Sequence, residues 1–387
     1  MCVDRPLDRA RELAPEIAAA AVEIEQQRRL PEALLAKLLD AGLFRLLLPR
    51  PFAGGEVDPL TFVEVVEEIA KHDASTAWAL CQTSVCAMAA AYLPTEAAQA
   101  IFGDRRAVLA WGSGANGKAV PVGGGYRLTG SWWFASGGRH ATWLGGHSLI
   151  CQPDGTPQRT ADGAVIARTL LFPAAAAPMQ DVWHVMGLKG TGSDAYAVTD
   201  VFVPAAHAFG RDDPADRRYH APLYLLKTDT MFSAGFAGLA LGVARAMLDA
   251  LRGLALEKTP RGYRHTLREG AVFQTEFAEM DARLGAARAY LVSTLAALWR
   301  AVLDTGALAL DHRMALRLAS THAIREAKHV ADDAYNAAGA TAIFASHPFE
   351  RRFRDINSVA QQLQARRSHF ETVGKFLLGL DADTATL

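Results

Sequence analysis

The chain keeps helical periodicity toward both ends and abandons it in the middle, and that interruption limits the possible folds more than any single motif. Near the start, Leu7, Ala10, Leu13, Ala14, Ile17, Ala18, Ala21 and Ile24 recur at helical spacing with charges between them. Pro31 opens a second helix that Gly42 closes. Asp58-Pro59 is a cap followed by a first-turn proline, and starts a helix through Phe62, Val63, Val65, Val66 and Ile69. Ser75 is expected to cap a helix running from Thr76 to about Tyr92, and Pro94 begins a short last one. From about Arg106 the pattern becomes short β-type runs, at 108–111, 149–151, 165–172 and 195–203, with Pro204 ending the last. Gly123-Gly124-Gly125 reads as a hairpin turn before Tyr126-Arg127-Leu128.

No strand–helix alternation occurs there, which argues against a parallel nucleotide-binding sheet and for a compact β-barrel or sandwich. Beyond a polar connector at 211–218, four long segments follow, at 229–256, 268–303, 307–338 and 349–378. They predict an antiparallel four-helix bundle. The expected fold is α+β, with an N-terminal α-helical domain over 1–105, a central β domain over 106–215 and a C-terminal bundle over 216–387.

A chain of 387 residues, half of them apolar, can bury a large core. Its 40 Lys and Arg nearly cancel 41 Asp and Glu, so it carries no footprint for nucleic acid or an anionic membrane, and a small molecule is the expected partner. The apolar run from Ala18 to Val22 is broken by Glu23, too short to span a bilayer. The start, with Asp4, Arg5, Asp8 and Arg9, lacks the apolar core of a signal peptide. Cys2, Cys81, Cys86 and Cys151 show no metal or redox spacing, which fits buried thiols in a reducing cytoplasm.

Two segments carry the chemistry. One is Gly130-Ser131-Trp132-Trp133-Phe134-Ala135-Ser136-Gly137, the other Met186-Gly187-Leu188-Lys189-Gly190-Thr191-Gly192-Ser193. Aromatics running into Ser-Gly suit a flat ring lying along a strand, with amides and a hydroxyl at its polar edge. In Trp111-Gly112-Ser113-Gly114, small residues let the backbone approach a ligand closely. A lone serine more often satisfies a turn, and a glycine-rich loop alone is weak evidence. A Walker-type phosphate loop does not fit, since Lys189 precedes the last glycine and no helix follows.

In pattern and order these segments resemble the flavin-binding middle domain of the acyl-CoA dehydrogenase superfamily, above all its oxygenase branch, the oxygenase components of two-component flavin monooxygenases. The helix–β–helix order extends the resemblance over nearly the whole chain. It implies that Ser136 lies near flavin N5 and Phe134 against the isoalloxazine, where the dehydrogenases usually carry a tryptophan. It places Trp111 and Ser113 at the pyrimidine edge, with Ser113 also able to face substrate. Thr191 and Ser193 fall in the family's GLRGTGS element, followed as usual by Asp200 and a Val-Phe-Val-Pro strand. Arg264, in the loop from Arg261 to Arg268, together with Phe273-Gln274, Gly339 and Ala340, would reach the cofactor of a neighbouring subunit, which implies a homotetramer.

The branch is read at Arg354-Asp355-Ile356-Asn357. Acyl-CoA dehydrogenases commonly carry a Tyr-Glu-Gly base motif in this region; none is present, and Glu350 and Glu371 only flank it. Phenol-hydroxylating relatives have Arg-Asp-x-His, and here the histidine position is Asn357. A second family histidine falls near Val85 or Cys86 and is also absent. An amide can orient a substrate but cannot act as a base near neutral pH. His140 and His369 remain as candidates, although either is more often a structural histidine.

The resemblance therefore implies a monooxygenase that receives reduced FMN or FAD from a separate flavin reductase. The flavin would trap O2 as a C4a-hydroperoxide and pass oxygen to a small aromatic or heterocyclic substrate, in an apolar pocket lined by Trp111, Trp132, Phe134, Cys86 and the bundle. The alternatives are an acyl-CoA dehydrogenase with tightly held FAD and, third, a nonenzymatic scaffold.

Overall fold

The computed structural model describes residues 5–384, so Cys2 and Asp4 lie outside the described residues. The N-terminal part forms α1 (Pro6–Gln27), α2 (Glu32–Asp40), α3 (Pro59–Ala70), α4 (Ala74–Ala87) and α5 (Thr95–Phe102). Asp58 caps α3 as expected, accepting from the amides of Leu60 and Thr61. The cap of α4 is Asp73 and not Ser75: its extended backbone lets the carboxylate accept from the Thr76 amide, and Ser75 is already inside the helix. The α-helix also stops at Ala87, and a tighter 3-10 turn carries the chain from Met88 to Tyr92.

The middle of the chain forms β1 (Leu109–Trp111), β2 (Gly117–Val122), β3 (Gly125–Trp132), β4 (Trp143–Ile150), β5 (Ala167–Pro173), β6 (Met179–Gln180), β7 (Ala195–Pro204) and β8 (Ala208–Phe209). They make one mixed sheet in the order β6-β7-β3-β2-β4-β5-β8, with β1 paired to β4. The glycine turn falls where predicted: Val122 faces Gly125, and Gly124 takes φ +80°, a conformation side chains rarely adopt. Trp132 on β3 lies 6.2 Å from Phe172 on β5, although β2 and β4 separate those strands in the sheet. Tyr196 on β7 completes the cluster, 5.4 Å from Trp132. Such contacts require the sheet to curl around its own core, so the architecture is a single curled layer and not two stacked sheets.

The C-terminal part forms α6 (Thr228–Glu257), α7 (Ala271–Thr305), α8 (Leu310–Ala338), α9 (Pro348–Val359) and α10 (Ser368–Leu377). The predicted fourth segment is thus two helices. Between them Gln364 is buried, accepting from the Arg317 guanidinium with its side chain and from the Thr321 hydroxyl with its carbonyl, and these bonds replace the intrahelical ladder. The helices of both ends share one apolar core. The small residues of α6 allow this: a Cβ on Gly242 would meet the Glu67 carbonyl at 2.3 Å, and one on Gly235 the Cys81 sulfur at 2.5 Å.

Among the described residues, two helices, α6 and α7, are long and apolar enough to cross a membrane by length and composition. The apolar window of α6 is 89% buried inside the fold, as in a core helix, whereas that of α7 is only 28% buried, and α7 as a whole leaves Val272 and Leu303 exposed.

Candidate active site

The sheet is interrupted where the site forms. β1 and β2 pair with the same strand, β4, and residues 112–116 loop out between them. The Ser113 amide donates to the Trp133 carbonyl at 2.9 Å, which brings this loop against the end of β3. There Phe134 takes φ 62°, an uncommon conformation for a bulky residue that marks a strained turn. The turn leaves the Phe134 and Trp133 side chains more than half exposed and sends Ser136 inward, where it is 5% exposed. Trp183 meets Phe134 edge-on at 6.0 Å.

The two motifs singled out in the sequence lie side by side. The Ala135 amide donates to the Asp194 carbonyl and the Gly137 amide to the Thr191 carbonyl, each at 3.0 Å. Within this clamp the side chains form a continuous series. The Trp78 indole N–H reaches Ser136 Oγ at 2.8 Å, Ser136 Oγ is 2.7 Å from Ser193 Oγ, Ser193 Oγ is 2.6 Å from Thr191 Oγ1, and Thr191 donates to the Leu188 carbonyl at 2.8 Å. All three hydroxyl residues are buried.

The loop carrying Thr191 and Ser193 is fixed from two sides. Buried Asp355 on α9 accepts from the Leu188 amide at 2.7 Å. Gly187 lies so close to α9 that a Cβ would meet the Arg354 carbonyl at 2.2 Å. Desolvation pushes the Asp355 carboxyl up to about 7, with buried Asp73 adding to the rise, while the Leu188 amide and the nearby Arg351 and Arg354 oppose it. On the other side, buried Asp194 pairs with Arg139 at 2.6 Å and accepts from the amides of Val182 and Trp183. Sequence reasoning missed Trp78, Asp194 and the anchoring role of Asp355. A tryptophan in an apolar helix reads as core, but Asp194 follows Ser193 directly and was open to notice.

The other predicted residues scatter. Ser113 is exposed beside Trp133. Trp111 and Trp132 are buried within their cores, the first edge-on to His147 at 5.2 Å and the second donating to the His147 carbonyl, so neither side chain lines an open pocket. Cys86 is fully buried. His140 turns away from Ser136: its Nε2 accepts from the Leu30 amide at 3.1 Å, and burial lowers its pKa to about 4, with Arg29 and Arg139 adding to the effect. His369 is tied to the Leu363 carbonyl at 2.8 Å. Asn357 donates to the Phe353 carbonyl of its own helix at 2.8 Å. Glu350 and Glu371 pair with Arg354 and Lys375, each on its own helix. His147, which sequence reasoning passed over, lies half-buried with Nδ1 2.6 Å from the Thr169 hydroxyl, and burial lowers its pKa to about 3.

Arg264, Phe273, Gly339 and Ala340 gather elsewhere, at one end of the bundle. Arg264, Gly339 and Ala340 are exposed, and Phe273 is buried against Phe277. Lys258, at the end of α6, donates to the Ala338 carbonyl and to Thr341, holding the 339–343 turn. A separate groove of about 1000 Å³ opens on the far flank of the 184–189 stretch, lined by Glu25, Arg28, His184, Lys189, Arg351 and Arg354.

A helical N-terminus, a central curled sheet and a helical C-terminus are the architecture of the acyl-CoA dehydrogenase superfamily, to which the chain belongs. The family models for the acyl-CoA dehydrogenase N-terminal domain and C-terminal domain match residues 7–103 and 234–367, together more than half of the chain. Among its relatives, the indole-3-acetate monooxygenase of Pseudomonas putida is 28% identical over 92% of this chain and 89% of its own length. The oxygenase component of the FADH(2)-dependent resorcinol hydroxylase of a Rhizobium species is 29% identical over 97% of this chain and 95% of its own. Among solved structures, XiaF from a Streptomyces species, in complex with FADH2 and glycerol, superposes with a TM-score of 0.91 at 25% identity, covering 99% of this chain and 97% of that one.

Proposed function

We propose that this chain is the oxygenase component of a two-component flavin monooxygenase, and that reduced FMN or FAD binds at the end of β3. The observation that carries this reading is the conjunction of an inward serine held by partnered hydroxyls with two exposed aromatic rings at one strained strand end. These residues fit a flavin. Phe134 offers an apolar surface for the ring, Ser113 a hydroxyl at its edge, and Ser136 a fixed polar contact. When bound, reduced flavin supplies two electrons and the site at which O2 is activated, so that one oxygen atom goes to an aromatic or heterocyclic substrate and the other leaves as water. The chain's own part is to hold the ring, exclude water and orient the acceptor.

Neither Glu350 nor Glu371 stands free as the dehydrogenase reading needs, since both are held by cations on their own helices. In one chain the Arg264–Gly339 group is exposed and separate from the Ser136 set. A second copy seated on the open apolar face of α7 would bring such a group to a neighbour's flavin, as a homotetramer requires. A separate reductase in the same cytoplasm would supply the cofactor. Purified protein that is colourless, gains affinity for flavin only on reduction and consumes O2 with reduced flavin agrees with this account. A yellow protein bleached by acyl-CoA would support the dehydrogenase instead, and binding of neither flavin state the scaffold.

A further inference from the structure

We infer that His147 and Arg211 form the far end of the substrate pocket and receive an anionic substituent, so that the substrate is a two-ring aromatic acid. The inference rests on the flavin reading above and deepens it by naming the substrate class.

One edge of β4 is left without a neighbouring strand. Trp111 of β1 pairs with Gly145 and Gly117 of β2 with Ser148, so the gap falls beside Gly146 and His147, where residues 112–116 loop out. By strand alternation the His147 side chain lies on the face of the sheet that carries Trp111, which packs into the helical core. Its ring is fixed on two sides. Nδ1 is 2.6 Å from the hydroxyl of buried Thr169, and Trp111 meets the ring edge-on at 5.2 Å. Nε2 is buried and has no hydrogen-bond partner. Buried polar atoms are nearly always paired, so a nitrogen left over beside a gap in the sheet calls for a partner that arrives with a ligand.

Arg211 sets what that partner is. Its charge acts on both His147 and Cys86, which places the guanidinium beside this end of the site. It makes no ion pair among the described residues, and the carboxylate of adjacent Asp212 is taken by the amide and hydroxyl of Thr228. The imidazole itself stays neutral, since burial, with Arg211 adding to the effect, lowers its pKa to about 3. A cation beside an unsatisfied neutral imidazole suits a carboxylate. An oxygen at Nε2 selects the tautomer with the hydrogen there, and Thr169 then donates to Nδ1.

The span from Ser136 sets the size. Trp78 touches Ser136 at 2.8 Å and shares one side of α4 with Cys86, which is hydrogen-bonded to the Trp111 backbone. From Trp78 to Cys86 is about 12 Å of helix. A ring over the flavin reaches His147 across that span through a fused second ring, and a single ring with a short acid arm falls short. Residues 113–116 close the site and are the element that gives way, being exposed and joined to β3 through the Ser113 amide.

The test is an anaerobic calorimetric titration of the full-length protein, saturated with chemically reduced FMN or FAD, in wild type, Arg211→Gln, Arg211→Lys and His147→Phe. The probes are 2-naphthylacetate, 2-methylnaphthalene and phenylacetate. Wild type should bind the naphthyl acid at least about tenfold more tightly than either of the others. Arg211→Gln and His147→Phe should each weaken the acid about fivefold or more and spare 2-methylnaphthalene, while Arg211→Lys keeps most of the preference. Variants that weaken acid and hydrocarbon alike, or a wild type with no preference for the acid, would overturn the inference and leave the flavin reading intact. Phenylacetate binding as tightly as the naphthyl acid would overturn the two-ring assignment. Protein that binds no reduced flavin would remove the flavin reading and this inference with it. If His147→Phe does not fold, Arg211→Gln decides the question, since Arg211 is exposed and its loss leaves the core untouched. An unchanged preference in that variant would overturn the inference.

Discussion

The Ser136 strand end and the Gly339 turn were both expected to touch the cofactor, and they are built in opposite ways. Around Ser136 the three hydroxyls are buried and partnered, and the backbone on both sides is clamped to a second motif. Around Gly339 the backbone and Ala340 are exposed and Arg264 is in solvent, while the turn is held by Lys258 and by the buried Ala342. The first region is finished within one chain. The second is left open in one chain. Under the proposed function, the first region would hold the flavin ring within one chain, and the second would act only in an assembly.

The strongest way to break the finished region is to detach its loop from α9. Gly187→Ala puts a Cβ 2.2 Å from the Arg354 carbonyl, and backbone cannot retreat as a flexible side chain can. A loss of about 3 kcal/mol is expected, at the upper end for overpacking, read as a lowered denaturation midpoint together with lost flavin binding. An unchanged midpoint would show that the loop is not wedged against the helix.

The same joint should respond to pH. The folded protein keeps the Asp355 proton up to about 7, whereas an unfolded chain releases it near 3.8, so this group removes stability as pH rises from about 4 through 7. Asp355→Asn keeps an oxygen for the Leu188 amide and should abolish that slope, worth on the order of 4 kcal/mol at its limit. His140 acts with the opposite sign. Its folded pKa of about 4 lies below the unfolded 6.5, so it contributes stability above 6.5 that is lost as pH falls through 4. The two slopes oppose each other over the same window and largely cancel in wild type, so urea titrations of Asp355→Asn at a series of pH values should expose the His140 rise between pH 4 and 6.5, and a variant profile with the same slope as wild type would contradict the Asp355 assignment.

Lys258→Met probes the unfinished region. It leaves the Ala338 carbonyl and Thr341 hydroxyl without their partner, at about 1–3 kcal/mol. If that turn completes a neighbour's site, flavin affinity should fall together with the tetramer in sedimentation, while the Ser136 strand end stays folded. Loss of affinity in an intact tetramer would point to local damage alone.

Ser136→Ala should cost only about 0.5–1.5 kcal/mol of stability, yet lower the product formed per reduced flavin by about tenfold. Wild-type proportions of product and hydrogen peroxide would remove Ser136 from the site. The smallest effect is expected at Asn357. Its amide N–H already serves the Phe353 carbonyl, so Asn357→His should change coupling by less than about threefold, under 1 kcal/mol. A large drop on phenols and indoles alike would place this side chain against the substrate.

Much of this was legible in the sequence where a local rule acts alone. The Asp58-Pro59 cap and the Gly123-Gly124 turn are fixed by neighbours in the chain. The two flavin-type motifs were also recognisable, although only folding shows that Thr191 and Ser193 reach Ser136. What was hidden depends on contacts distant in sequence. Nothing in Gln361-Gln362-Leu363-Gln364 breaks a helix; burial of Gln364 against Arg317 does. Trp132 looked like a pocket residue because it sits in the motif, but the alternation of β3 turns it into the core of the curled sheet. Trp78 looked like core and is the donor that fixes one end of the hydroxyl series.

The central claim is that the Ser136 strand end uses reduced flavin to place one atom of O2 on a ring. The most direct measurement supplies chemically reduced flavin and 18O2 to the purified protein with a small panel of phenols and indoles, and weighs the products. The expected product is heavier by one 18O atom, forms in proportion to flavin consumed and is lost in Ser136→Ala. Flavin oxidation that yields only hydrogen peroxide with every ring, or oxygen that comes from water, would contradict it.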